Sequence, residues 1–132
     1  MRPAMIRPAL AAALILAAVP ASARTPPRGF PAAMHGTWGY SAEACTVETD
    51  DGRVEVKARE VMFFASYCAL GRFRRDRDGA VTGRGRCRGE GETTVEPGRV
   101  RLRLEGGDRL HISLDGGEGS TYQRCERPLP VR

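Results

Sequence analysis

No apolar run in this chain is long enough to span a membrane. Residues 10–19 lie between Pro8 and Pro20 and would cover about 15 Å as a helix, half of a bilayer's hydrocarbon. The first cysteine is Cys45, far beyond that run, so no thiol stands where a lipoprotein carries its lipid. No Cys-x-x-Cys pair occurs, which argues against zinc and against a redox-active dithiol. Beyond residue 23 no helical period is evident. Lysine is almost missing: Lys57 is the one lysine among 21 basic residues. That bias fits a GC-rich coding sequence, or an arginine fork retained for phosphate or carboxylate.

What is present at the start is an export signature. Met1-Arg2-Pro3 and Arg7 make a positive n-region, residues 9–19 an apolar h-region, and Ala21-Ser22-Ala23 a small-residue cleavage site. Residues 1–23 therefore read as a signal peptide, and the protein as periplasmic or secreted, without a transmembrane segment after cleavage. The remaining 109 of 132 residues suit one domain, expected as a monomer, with a core small enough to benefit from covalent staples.

Cys45, Cys68, Cys87 and Cys125 are those staples, since an even count in a short exported chain reads as two disulfides. Of three possible pairings, Cys45–Cys68 with Cys87–Cys125 is expected, tying an early strand pair and joining a middle strand to the last. The competitor is Cys68–Cys87. A hairpin folded about Arg77-Asp78 sets those two nearly opposite, and a loop one residue longer removes the opposition.

Residues 24–34 hold Pro26, Pro27 and Pro31 and read as an extended, poorly ordered lead-in. From Gly36 turn signals recur about every ten residues, the spacing of an all-β sandwich or barrel. Period-two segments lie between them: Val54/Val56, Val100/Leu102/Leu104 and Leu110/Ile112/Leu114 alternate with polar residues, so each sheet has one buried and one wet face. The fold expected is a single antiparallel meander barrel of about eight strands over residues 35–127, with 128–132 as a tail. Further inward candidates are Phe63, Leu70, Phe73, Val95 and Tyr122, with Phe64 competing with Phe63.

Turn parity refines this. A three-residue Gly106-Gly107-Asp108 loop keeps both leucine sets on one face. A Pro97-Gly98 turn would pair Glu96 with Arg99, Thr94 with Arg101 and Glu92 with Arg103, setting an acidic row between two arginine rows. Beyond residue 23 the balance is 19 basic against 16 acidic residues, too weak for a nucleic-acid protein. Residues 72–88 are locally basic, and Arg72, Arg74, Arg75, Arg84, Arg86 and Arg88 form the candidate anion-binding set.

Catalytic patterns are missing. His35 and His111 sit in no motif, no serine lies in a nucleophile elbow, and no cysteine is free if both disulfides form. Residues 89–92 (Gly-Glu-Gly-Glu) lack the lysine and helix of a phosphate loop. No enzyme activity, metal or cofactor is expected.

The opening strand, His35-Gly36-Thr37-Trp38-Gly39-Tyr40, and the closing Tyr122-Gln123-Arg124-Cys125 resemble lipocalin-like (calycin) barrels. The resemblance implies that Trp38 plugs one barrel end and that Arg124 packs across its ring. The chain is shorter than a true lipocalin. Its size is closer to the small barrels that inhibit bacterial metalloproteases by inserting an N-terminal tail, although the tail here differs in composition. It is also similar to small exported proteins of GC-rich bacteria, a resemblance that carries no activity. The function expected is non-catalytic binding of a protein or an anionic envelope polymer or lipid, the alternative being inhibition of a secreted protease or lysozyme. Intact mass of protein from a periplasmic extract should start at Arg24 and lie four hydrogens below the reduced chain; four free thiols there would contradict export.

Overall fold

The computed structural model describes residues 3–4, 11–17 and 25–125. The cleavage site at 21–23, most of the n-region and the 128–132 tail lie outside the described residues. From Ala32 onward the order is a 3-10 turn (Ala32–Met34), β1 (Gly36–Gly39), α1 (Ala42–Thr46), β2 (Arg53–Val56), β3 (Glu60–Phe63), β4 (Ser66–Arg75), β5 (Val81–Gly89), β6 (Glu96–Leu104), β7 (Arg109–Leu114) and β8 (Ser120–Arg124). Each strand pairs antiparallel with the next, and β8 returns to β1 through Trp38↔Arg124 and Gly39↔Gln123. The meander is a closed eight-stranded barrel, and closure leaves no sheet edge unpaired.

Alternation puts Val54, Val56, Leu70, Phe73, Val100, Leu102, Leu110 and Ile112 inside, where they pack with Val61, Val81 and the fully buried Trp38. Phe63, Leu104 and Tyr122 pack against this core from its margin. Phe63 rather than Phe64 faces in, leaving Phe64 53% exposed. The β6–β7 register is Leu104↔Leu110 through Val100↔Leu114, so the turn is the three-residue Gly106-Gly107-Asp108 loop. Leu114 has inward parity but stands 43% exposed at the end of β7.

Two expectations about strands are corrected. Pro97 and Gly98 lie inside β6, not in a turn: Arg86 pairs with Pro97, Gly85 with Gly98, and the β5–β6 connection is residues 90–95. Val95 belongs to that connection and is 44% exposed. Gly98 is required there because a side chain would collide with the Cys87 sulfur. The second correction is α1, a single turn capped by Ser41, whose hydroxyl accepts the Ala44 N–H at 3.4 Å. Five residues are too few to show a period.

The disulfides are Cys45–Cys125 and Cys68–Cys87, correcting the expected pairing. Cys45 lies on α1, just after β1. Because β8 closes onto β1, Cys125 arrives beside it, with a Cα separation of 5.1 Å. The β4–β5 turn is one residue longer than a turn centred on Arg77-Asp78, and Arg75 pairs with Val81. That register alone would set Cys68 opposite Arg88. A β-bulge between Leu70 and Arg72 shifts it back by one, so that Cys68 faces Cys87 with Cα atoms 4.1 Å apart.

The packed unit starts at Gly29, not at His35. Phe30 is 3% exposed, meets Phe73 edge to face at 5.2 Å between centroids, and its N–H donates to the Ala58 carbonyl at 2.7 Å. Met34 is buried beside it. Pro26, Pro27 and Pro31 predict a loose segment, and one aromatic among them has no periodicity to reveal its burial. We predict that truncation up to Arg28 leaves the melting temperature within about 2 °C, whereas Phe30→Ala costs about 3–5 kcal/mol, or roughly 12 °C or more. Equal tolerance of both changes in a thermal melt would contradict docking of Phe30.

Candidate functional site

The outer face of β4 to β7 is where the register concentrates charge. Val100 and Leu102 point inward, so Arg99, Arg101 and Arg103 point outward; Gly83 inward leaves Thr82 and Arg84 outward. Pairing then aligns two cross-strand rows. One is Arg74–Thr82–Arg101–Ser113 and the other Arg72–Arg84–Arg99. Arg74, Arg84, Arg99, Arg101 and Arg103 line an open groove of about 700 Å³ with Asp76, Thr82, His111 and Ser113. Gly116, Gly117 and Glu118 of the β7–β8 turn complete its lining. Five arginines against Asp76 and Glu118 give it a formal charge of +3.

The acidic row expected from residues 92–96 does not form, because Arg84 faces Arg99 directly and Thr82 faces Arg101. The carboxylates that do engage come from the β4–β5 turn and from Glu105, just past β6. Arg101 Nε donates to Asp76 at 3.1 Å and its Nη2 to Asp78 at 2.6 Å; Arg103 reaches Asp78 at 3.6 Å and Glu105 at 2.8 Å. Among the described residues Arg72, Arg74, Arg84 and Arg99 make no ion pair. Arg101 thus carries its own counterions, and no arginine of the Arg72–Arg84–Arg99 row does.

Local geometry fixes Arg99. Its N–H donates to the Asp115 carboxylate at 2.9 Å, and the Asp115 N–H returns a bond to the Arg99 carbonyl at 2.9 Å. Asp115 and Gly116 both take left-handed backbone, with φ of 51° and 82°. The Arg99 guanidinium lies over Gly116, Nη2 falling 2.7 Å from where a Cβ would be. His111 Nε2 pairs with the Glu118 carbonyl at 2.7 Å and Nδ1 with the Thr121 hydroxyl at 3.2 Å, bracing the same turn.

The other sequence candidates separate. Arg72 stands beside Arg84 without lining the groove, Arg86 is exposed further along β5, and Arg75 ends β4. Arg88 lines a different, shallower depression of about 370 Å³ with Met62, Phe64, Tyr67 and Glu92. Nearby, the Tyr67 hydroxyl donates to Glu60 at 2.8 Å, and this bond raises its pKa. The sequence alone makes Arg99, Arg101 and Arg103 surface partners of an acidic row. Their place in the groove follows only once Pro97-Gly98 is known to lie within the strand.

Trp38 and Arg124 meet at the barrel end. The guanidinium lies 4.2 Å from the indole centroid and donates to the carbonyls of Ala33 (2.6 Å), His35 (3.0 Å) and Gly107 (3.2 Å). Trp38 Nε1 donates to the Met34 carbonyl at 3.0 Å. Among the described residues no group of three or more His, Cys, Asp or Glu side chains could hold a metal ion, and no helix is long and apolar enough to cross a membrane.

The carboxylates that pair with Arg101 and Arg103 respond to pH in a defined direction. Asp78 is held below the ordinary carboxylate range by the Ala80 N–H and then by Arg101, and Glu105 is lowered by its bond from Arg103. A lowered pKa stabilises the fold above the ordinary range, and this contribution is lost as pH falls through the depressed values. Both groups face solvent, so the effect is small. Denaturant melts should show stability declining below about pH 4, and less steeply in Asp78→Asn; identical pH profiles for the two would contradict the network.

Comparison with protein-family models, with curated proteins and with solved structures found no match to this chain.

Proposed function

We propose that this protein is a non-catalytic, exported binding protein that recognises an anionic partner on the outside of its barrel. The observation that carries the reading is the groove in which Arg74, Arg84 and Arg99 lack carboxylate partners among the described residues. Two further features support it. The barrel interior holds bulky side chains, Trp38, Phe73, Leu70 and Leu102 among them, which favours surface recognition over an enclosed ligand. The two disulfides suit an oxidising compartment, in keeping with the export signature of residues 1–23.

The lipocalin-like reading draws support from the closed meander, from Gly36-x-Trp38 on its first strand and from Arg124 across the indole. The inhibitor reading has less behind it. Gly29 and Phe30 are docked on the barrel, so only the residues up to Arg28 remain for insertion into a protease cleft.

An exported protein meets anionic polysaccharides and phosphorylated glycolipids at the cell envelope. Binding to either should weaken about tenfold or more as salt rises from roughly 0.05 to 0.3 M, because exposed charges more than a Debye length apart are screened. Salt-insensitive binding, or none to either material, would remove the groove from the account.

A further inference from the structure

The two arginine rows differ in a way that points to one ligand chemistry. In the row through Arg101, Asp76 and Asp78 supply negative charge from within the chain. In the row Arg72–Arg84–Arg99, three guanidinium-bearing residues occupy directly opposed positions on three adjacent strands. Neighbouring strands lie about 4.8 Å apart, and like charges directly opposite each other destabilise a sheet. The nearest acidic continuation is Asp115, whose carboxylate accepts the Arg99 backbone N–H rather than pairing with a guanidinium. The repulsion is therefore left uncompensated at the groove wall, where the Arg99 fork lies over Gly116 and leaves no room for a Cβ there.

We infer that the Arg84–Arg99 pair, flanked by Arg72, is a subsite for a phosphate monoester. This inference rests on the anionic-partner reading and narrows it. A carboxylate offers one charge and two oxygens, which a single arginine fork satisfies in bidentate fashion. A phosphate monoester brings close to two charges and three acceptor oxygens, enough to engage two or three forks from adjacent strands. Thr82 and Ser113, from the neighbouring row, place hydroxyl groups in the same lining. Among the described residues His111 is the only aromatic ring there, and its two ring nitrogens are already engaged, so recognition falls to the charged groups. The phosphate could be carried by a soluble phosphorylated sugar or by a lipid headgroup; the chemistry at the arginines is the same.

The test is calorimetric titration of the disulfide-bonded protein at low salt with fructose 1,6-bisphosphate, with citrate, and with vesicles containing phosphatidic acid. Variants Arg84→Gln, Arg99→Gln and Gly116→Ala are compared with Arg88→Gln, which removes the same charge from the separate depression. Near-UV circular dichroism confirms that each variant is folded. The phosphate probe, soluble or in vesicles, should bind more tightly than citrate. Arg84→Gln and Arg99→Gln should each weaken it about tenfold or more, and Arg88→Gln less than about threefold. Gly116→Ala should also weaken it, by displacing the Arg99 fork. Preference between the soluble and vesicle arms identifies the carrier. Equal losses in Arg84→Gln, Arg99→Gln and Arg88→Gln would overturn the subsite while leaving a diffuse cationic, anion-binding surface intact. Citrate binding as well as the phosphate probes would overturn the phosphate assignment alone. No binding of any probe would overturn both the subsite and the broader reading.

Discussion

Arg124 lies 4.2 Å from the centre of the Trp38 indole and donates hydrogen bonds to the carbonyls of Ala33, His35 and Gly107. One side chain thereby ties the 3-10 turn, the lead-in to β1 and the β6–β7 loop to the last strand. Trp38 in turn donates to the Met34 carbonyl, fixing the turn from which Phe30 reaches the core. Guanidinium over a shielded indole contributes roughly 0.5–2 kcal/mol. The next residue, Cys125, bonds to Cys45 across 80 residues of chain. In the chain-entropy model that closure restricts the unfolded state by about 4–5 kcal/mol, against about 3 for the 19-residue separation of Cys68 and Cys87. Barrel closure is thus secured twice at the same corner, by packing and by a covalent bond.

A barrel closed in this way leaves the inside to the core and the outside to function. Inward positions go to Val, Leu, Phe and Trp, with glycine where two strands or a disulfide approach closely. Most outward positions on β5, β6 and the C-terminal half of β4 go to arginine. Whether an arginine is neutralised depends on its reach to an acidic turn. The β4–β5 turn projects Asp76 and Asp78 onto Arg101 and Arg103, and no acidic turn serves Arg84 and Arg99 in the same way. Rigid strands hold these charges in place, where the same charges on a loop could move apart.

Much of this was legible in the chain. Val100/Leu102/Leu104 against Leu110/Ile112/Leu114 announces a hairpin, and parity favours the three-residue loop over a two-residue Gly-Gly turn, which would expel one set of leucines. Trp38 and Arg124 stood out by their positions on the first and last strands. Three things were hidden. Pro97-Gly98 is a strong turn signal, and nothing local says that the Gly98 position is emptied for a sulfur on the neighbouring strand. The Cys68–Cys87 pair depends on a bulge that compensates a longer turn, two irregularities that cancel and leave no periodic trace. Phe30 is a single aromatic in a proline-rich segment, and its burial is set by tertiary contact with Phe73. The groove inherits the first of these gaps, since its two rows exist only in the true β5–β6 register.

The central claim is that recognition takes place on the outer arginine face of a barrel whose interior stays closed. Amide and indole chemical shifts, followed by NMR while an anionic ligand is titrated in, address it directly. The account predicts that perturbations concentrate at Thr82, Arg84, Arg99, Arg101, Ser113 and Gly116, with the Trp38 indole and the Phe73 and Leu70 amides unmoved. Perturbations centred on Trp38, Leu70 and Phe73, with the β4–β7 outer face silent, would place the ligand inside the barrel and contradict it.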